Sequence, residues 1–373
     1  MKALILAGGF GTRLRPLSCT RPKLLFPIAN KPLLDLTLER LASNGVDEVI
    51  LAVNFMADAL EKYCGKSRHG IRLHYSRDLP STSRTAESSH GALGTGGPVK
   101  QAQTLLGNKE SFLVLNGDIL TDASYSEIVQ EHEENDGIAT IALHEVEDPG
   151  RYGVVEIADQ RHVARFIEKP SKQVPSKLIN AGIYVLEPEI FDYIPLGKQC
   201  SLEKEVFPKL AGERKLFGDE IKGMWIDVGK PEDYIEANKL WLKLTAVTEL
   251  VPRARLGKQA RIKEAVAMGE GVHVGEGSII GPNVSLGKAV TVGKCVSIRE
   301  SIIFPYTSIS HNSTIEGAIV GESVAVGKDV KIGKGCLLGD STVIKDGVRL
   351  TRNVKVCPFK EVSESILKPQ NVT

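Results

Sequence analysis

Aromatic side chains are scarce in this chain of 373 residues, at 5%, with two tryptophans. No apolar run approaches the roughly 20 residues that a membrane-spanning helix needs, so no membrane partner is expected. Signal-peptide character is also missing, because charged Lys2 leads straight into strand and loop. Six cysteines are scattered with no C-x-x-C spacing. They read as reduced, partly buried small residues of a cytoplasmic protein, and a zinc site is not expected. The formal net charge is +1 and no Lys/Arg-rich stripe or tail occurs, which argues against nucleic acid as a partner. Two nucleotide fingerprints fail as well. Leu14 stands where the dinucleotide turn needs its third glycine, and Leu60 stands where a P-loop ending at Gly65-Lys66-Ser67 needs its first.

What is present starts at the N-terminus. An apolar run from Ala3 to Ala7 reads as a short buried strand and breaks into Gly8, Gly9 and Gly11. Glycine amides approach an anion with no Cβ in the way. Arg13, Arg15 and Lys23 bring fixed positive charge to the same turn. Glycine amides, guanidinium and ammonium together suit a triphosphate.

Downstream, strand-like and helix-like segments alternate. Leu34, Leu38 and Leu41 share one helical face that Gly45 closes. Strands are predicted at Glu48–Val53, Ile71–Tyr75, Phe112–Leu115, Ile138–Leu143 and Ile179–Val185. Such alternation implies a mostly parallel sheet covered on both faces, with ligands at the carboxyl ends of its strands. Glu232 to Thr245 reads as a helix, and Val251-Pro252-Arg253 as a linker. Beyond about residue 250 a six-residue period runs through Val266, Val272, Ser278, Val284, Val290, Val296, Ile302, Ser308 and Thr314. It slips near Ala318 and resumes at Val324, Val330, Cys336, Thr342, Val348 and Val354. A short apolar repeat with regular glycine turns marks a parallel β-helix. The expected domains are 1–250 and 251–373.

Two carboxylates follow apolar strands, Asp118 in Leu115-Asn116-Gly117-Asp118 and Asp227 in Trp225-Ile226-Asp227. From separate strand ends they suit Mg²⁺, a hard cation that takes few carboxylates plus substrate phosphates. Either aspartate alone could equally form a turn or cap a helix.

The segment Gly8-Gly9-Phe10-Gly11-Thr12-Arg13-Leu14-Arg15-Pro16-Leu17 with Lys23 resembles the signature of the sugar-phosphate nucleotidylyltransferases. The later repeat resembles the hexapeptide, left-handed β-helix family. These resemblances imply an α/β fold: a Rossmann-like, mostly parallel nucleotidyltransferase domain followed by a left-handed parallel β-helix. They also imply an enzyme that joins a nucleoside triphosphate to a sugar 1-phosphate and releases pyrophosphate. Leu6, Ala7, Gly8, Gly9, Gly11, Thr12 and Arg13 would bind the nucleotide. Gly94 and Thr95 of Leu93-Gly94-Thr95-Gly96-Gly97-Pro98 would face its base.

Phe166-Ile167-Glu168-Lys169-Pro170 resembles the family's sugar-binding E-K-P element, and Asn180-Ala181-Gly182-Ile183-Tyr184 its sugar-contacting strand. Gly153, Glu168, Lys169, Asn180 and Asp227 would therefore bind the sugar phosphate. Arg13, Lys23, Asp118 and Lys169 would carry catalysis, and Asp118 and Asp227 would hold Mg²⁺. Arg151–Val155, Lys177–Gly182, Ser201–Pro208 and Gly223–Gly229 resemble mannose-1-phosphate guanylyltransferases, which implies GTP and mannose 1-phosphate as substrates.

Glucose- or N-acetylglucosamine-1-phosphate transferases using UTP or dTTP share much of the pattern, and a silent regulatory subunit that senses nucleotide-sugar is a further alternative. The flank from Ser76 to His90 is longer and more polar than the family's, which leaves the base open. The β-helix is expected to mediate homo-oligomerisation. An acetyl-transfer role would need His273 or His311, which read instead as surface coil residues.

Overall fold

The computed structural model describes residues 1–77, 93–170, 176–245 and 254–373. They fall into two compact units, Met1–Gly9 with Leu34–Ile226, and Phe10–Leu33 with Asp227–Thr373. The expected linker at 251–253 lies outside the described residues. So does the polar loop beyond Arg77, whose first residues Ser76 and Arg77 close a strand. Among the described residues no helix is long and apolar enough to cross a membrane.

Ten strands build the sheet of the first unit. They are β1 (Lys2–Leu6), β2 (Glu48–Val53), β3 (Ser67–Arg68), β4 (Ile71–Arg77), β5 (Phe112–Asn116), β6 (Ala139–Glu145), β7 (Gly153–Ile157), β8 (Val163–Glu168), β9 (Leu178–Leu186) and β10 (Leu216–Glu220). Their order is β8-β7-β9-β5-β1-β2-β4-β3, and β6 pairs with both β9 and β10. The centre, β5-β1-β2-β4, is parallel as the alternation predicts. Of these, β1, β2 and β5 are buried on both faces, which is why they read as unbroken apolar runs, whereas β4 alternates. The sheet turns mixed at β9, which runs antiparallel to β5 and β6. The helix Leu33–Ser43 buries Leu34, Leu38 and Leu41, and Gly45 follows it at φ 80°.

In the second unit three parallel sheets of seven, six and seven short strands form the faces of a β-helix. Arg255 aligns with His273 and then Thr291 in successive coils, three hexads apart. Thr291 aligns with Ser308, and Ser308 with Ala325, each one residue short of that step. The expected phase therefore fails earlier than Ala318. The residues buried in line with Val296 and Val324 are Ser301, Thr307, Ser313 and Ala318, whereas Ser308 is exposed and Thr314 half-buried. Apolarity misled the reading because these corner hydroxyls are buried with their hydrogen bonds made. Thr307 Oγ1 donates to Gly321 O at 2.7 Å, and Ser313 Oγ to Gly327 O at 2.8 Å. His311 Nδ1 accepts from Lys294 N at 2.8 Å, a structural use of that ring in a coil turn.

The register makes a paired prediction. Thr307→Val removes the donor to Gly321 O and the acceptor for Val324 N. It should lower the unfolding free energy by about 1–3 kcal/mol in urea titrations followed by circular dichroism. Ser308→Val, one residue along on the exposed face, should change it by no more than about 0.5 kcal/mol.

Candidate active site

Strand β1 delivers the chain to the carboxyl end of the sheet, where Leu6 lies in register between Ala52 and Asn116. Two backbone bonds carry the alignment past the strand, Ala7 N to Ala52 O at 2.9 Å and Gly117 N to Leu6 O at 3.1 Å. Leu6, Ala7, Gly8 and Gly9 belong to the first unit. Asp118 follows β5 at the same sheet end, half-buried in the turn before Ile119.

Gly11, Thr12, Arg13 and Lys23 belong to the second unit. Gly11 has φ 58° and starts a single 3₁₀ turn, Thr12–Leu14. Its carbonyl accepts from Leu14 N at 2.9 Å and from Ser18 Oγ at 2.7 Å. Leu14 and Leu17 are fully buried while Thr12, Arg13 and Arg15 are exposed. Apolar anchors therefore alternate with outward cations. Lys23, by contrast, is buried at the head of the turn Lys23–Leu25.

Arg13 and Asp227 meet at Gly229. A Cβ there would lie 3.1 Å from Arg13 Nη2 and 3.2 Å from each Asp227 carboxylate oxygen. Gly229 N also bonds Asp227 O at 2.8 Å, tightening the turn. Glycine at 229 thus leaves room for a cation and a carboxylate side by side.

The sugar-phosphate candidates lie in the first unit. Gly153 on β7 pairs with Glu168 on β8. Lys169 follows with φ 46°, its N–H bonded to Tyr152 O at 3.0 Å. Its ammonium, 68% exposed, lies 3.4 Å from the Glu168 carboxylate, which is 18% exposed. Asn180 sits at the register shift of β9, accepting from Gly182 N at 2.9 Å and donating to Tyr184 OH at 2.9 Å. Trp225 Nε1 donates to Ala181 O at 2.9 Å, and its ring meets Tyr152 at 5.4 Å and His144 at 5.6 Å between centroids. No motif pointed to His144, since a histidine on a strand carries no signal until its neighbours are known.

Gly94 and Thr95 are pinned to a distant segment of the same unit. At φ 74°, a Cβ on Gly94 would fall 2.2 Å from Cys200 O, so this turn admits only glycine. Cys200 N bonds Leu93 O and Cys200 O accepts from Gly96 N, at 3.0 and 2.9 Å. Thr95 Oγ1 accepts from Leu202 N at 2.9 Å and donates to Glu203 Oε2 at 2.5 Å. The Thr95 hydroxyl is therefore used inside the protein. Ser201 Oγ donates to the same Glu203 oxygen at 2.7 Å, and Tyr184 OH to its other oxygen at 3.3 Å. Burial, and then the nearby Glu203 charge, push the Tyr184 phenol well above its ordinary value. Through Tyr184 and Glu203, Asn180 is linked to Thr95. Sequence reading missed Glu203 as this hub because its three donors come from three separate stretches of chain.

Residues 2–243 match the nucleotidyl transferase family model, and residues 251–372 match the GMPPB C-terminal domain. A probable mannose-1-phosphate guanylyltransferase 1 from Oryza sativa subsp. japonica is 41% identical over 247 residues, 65% of each chain. A mannose-1-phosphate guanyltransferase from Saccharomyces cerevisiae is 38% identical over 253 residues, 66% of each chain. The aligned part of the chain thus spans about two thirds of these curated relatives. Among solved structures, HddC from Yersinia pseudotuberculosis, complexed with GMP-PN, is 30% identical with a TM-score of 0.52. That match covers 64% of this chain and 99% of HddC. A putative glucose-1-phosphate thymidylyltransferase from Bacillus anthracis shares the fold, with a TM-score of 0.56 at 22% identity, over 64% of this chain and 94% of its own.

The Glu203 hub can be tested by stability. Glu203→Ala leaves the Thr95, Ser201 and Tyr184 hydroxyls without their common acceptor. The expected loss is about 2–3 kcal/mol of unfolding free energy in urea. Thr95→Val and Tyr184→Phe should combine non-additively, by about 0.5 kcal/mol or more, because they share that carboxylate.

Proposed function

The chain belongs to the nucleotidyl transferase family, and we propose that it transfers a guanylyl group from GTP to mannose 1-phosphate, forming GDP-mannose and pyrophosphate. The observation that carries the reaction class is the approach of Arg13 and Asp227 to the same glycine, Gly229, which places a cation and a carboxylate at one turn. The choice of base and sugar is supported by identity of about 40% to mannose-1-phosphate guanylyltransferases over the N-terminal part.

In the reaction, a phosphate oxygen of mannose 1-phosphate attacks the α-phosphorus of GTP. One P–O bond forms in line with the breaking bond to the β-phosphate, and pyrophosphate leaves with the electron pair. No covalent enzyme intermediate is needed, so positioning and charge neutralisation carry the rate. The amides of Gly8, Gly9 and Gly11 cradle phosphate oxygens. Arg13 offsets charge developing on the pyrophosphate, and Lys23 offsets charge near the α-phosphate. Lys169 orients the attacking phosphate, while Glu168 and Asn180 address the sugar hydroxyls. Trp225 and Tyr152 present an apolar wall to the ring.

The carboxylates of Asp118 and Asp227 are hard oxygen donors of the kind Mg²⁺ takes. When bound, that ion would supply charge neutralisation on the phosphates. Self-association through the β-helix is part of the same proposal. It is supported by Tyr306 and Phe359, exposed by 53% and 74% on one corner of the coils, and sedimentation velocity tests it.

A matrix of GTP, UTP, dTTP and ATP against mannose, glucose and N-acetylglucosamine 1-phosphates, read by pyrophosphate release, tests the substrates. GTP with mannose 1-phosphate should exceed every other pair. Greater turnover with UTP or dTTP and glucose 1-phosphate would replace this reading, and no turnover anywhere would favour a regulatory subunit. Arg13→Ala and Asp118→Asn should each lower kcat by about 100-fold or more while circular dichroism stays unchanged. A folded Asp118→Asn variant with near-normal turnover would remove that residue from the metal site.

A further inference from the structure

Residues Phe10–Leu33, which carry Arg13 and Lys23, belong by their contacts to the unit that contains the β-helix. Two anchors hold them there. At the first, Thr20 Oγ1 donates to Asp340 Oδ2 at 2.7 Å, and Arg21 Nη2 donates to the same oxygen at 3.1 Å. Arg21 Nη2 also reaches Glu322 Oε2 at 2.5 Å. The other Asp340 oxygen accepts Glu322 N at 2.7 Å, which holds the two acidic residues of neighbouring coils in one arrangement. The Arg21 guanidinium lies 4.9 Å from the ring centroid of Phe304, one coil earlier. Three successive coils thus receive a single side chain.

At the second anchor Phe26 is fully buried, with Tyr234 and Phe304 at 5.4 and 5.9 Å between ring centroids. Tyr234 OH donates to Pro27 O at 2.6 Å, and Ala29 N donates to Asn238 Oδ1 at 2.9 Å. Asn238 Oδ1 in turn accepts from Ser285 Oγ of the coils at 3.1 Å. Phe304 serves both anchors. Lys23 lies between them, in the one 3₁₀ turn that separates Arg21 from Phe26, and Pro22 precedes it at φ −61°. With both ends of so short a span fixed, the backbone at Lys23 has little freedom left.

Ion pairs removed from water add little net stability, since desolvation offsets the attraction. Their geometric selectivity is the more durable effect, because a guanidinium shared between two carboxylates tolerates few placements. We propose that Arg21 is a positioning residue for the nucleotide: its pairing with Glu322 and Asp340 sets the place of Lys23, so that the β-helix is a working part of the triphosphate grip. The inference rests on the assignment of Arg13 and Lys23 to the triphosphate.

The test uses the full chain, with steady-state kinetics and with calorimetric titration of Mg·GTP. Arg21→Ala should raise KM and Kd for GTP about tenfold while KM for mannose 1-phosphate stays within about twofold. Arg21→Lys, which retains the charge but not the planar guanidinium, should recover part of the loss. Asp340→Asn should move the GTP constants the same way by about threefold, and combined with Arg21→Ala should add nothing further. Asp340→Asn carries the test alone if Arg21→Ala does not fold. Unchanged GTP constants in folded variants, or equal rises for both substrates, would overturn the positioning role. A wild-type protein that binds GTP without turnover would overturn the proposed reaction only, and the Kd ratio would still decide this inference. A wild-type protein that binds no nucleotide would overturn both.

Discussion

Each coil of the β-helix exchanges backbone hydrogen bonds with the coils on either side, so the side chains at one corner form a column along the stack. A uniform slip of one residue would carry that column off its corner. The two short coils avoid this by bringing Ser301, Thr307 and Ser313 inward, with their hydroxyls bonded to backbone. Because register is kept, Phe304, Glu322 and Asp340 come within reach of Arg21 although they lie on three coils. The placement of residues 10–33 depends on that alignment.

In the first unit the governing device is backbone approach. Gly94 comes so close to Cys200 O that no Cβ fits, and the contact draws Thr95 onto Glu203. One carboxylate then gathers hydroxyls from Thr95, Ser201 and Tyr184. A half-buried acceptor with three donors is costly to disturb, because each orphaned hydroxyl bears its own desolvation penalty. The same logic makes the segment a rigid link between Asn180 and the turn at Gly94. In this setting Thr95 supports the turn through its hydroxyl.

The parallel centre of the sheet was legible because strands buried on both faces must be apolar throughout, as Ala3–Ile5 and Val49–Val53 are. The antiparallel entry of Leu178–Leu186 was not, since pairing direction leaves no trace in composition. Likewise the coil repeat was plain wherever valine filled the corner. It was misread where serine or threonine did, because a satisfied hydroxyl is as acceptable inside as a methyl. Among the candidate residues, those in contiguous motifs such as Gly8–Arg13 and Glu168–Lys169 stand out in the sequence. Glu203, His144 and Arg21 do not, as the contacts each makes are with partners far along the chain.

The order of residues by itself determined the nucleotidyl transferase family and the two kinds of architecture, and it pointed to the cations and carboxylates proposed for the phosphates. Local patterns suffice for these, because a glycine turn, a strand end and a hexad are each set within a few residues. Only the tertiary structure decided that the segment bearing Arg13 and Lys23 keeps company with the β-helix, that Asp227 and Arg13 both approach Gly229, and that Thr95 and Tyr184 share Glu203. Those pairings join residues tens to hundreds of positions apart. No periodicity reports them, since hydrogen bonds and ring contacts answer to distance in space.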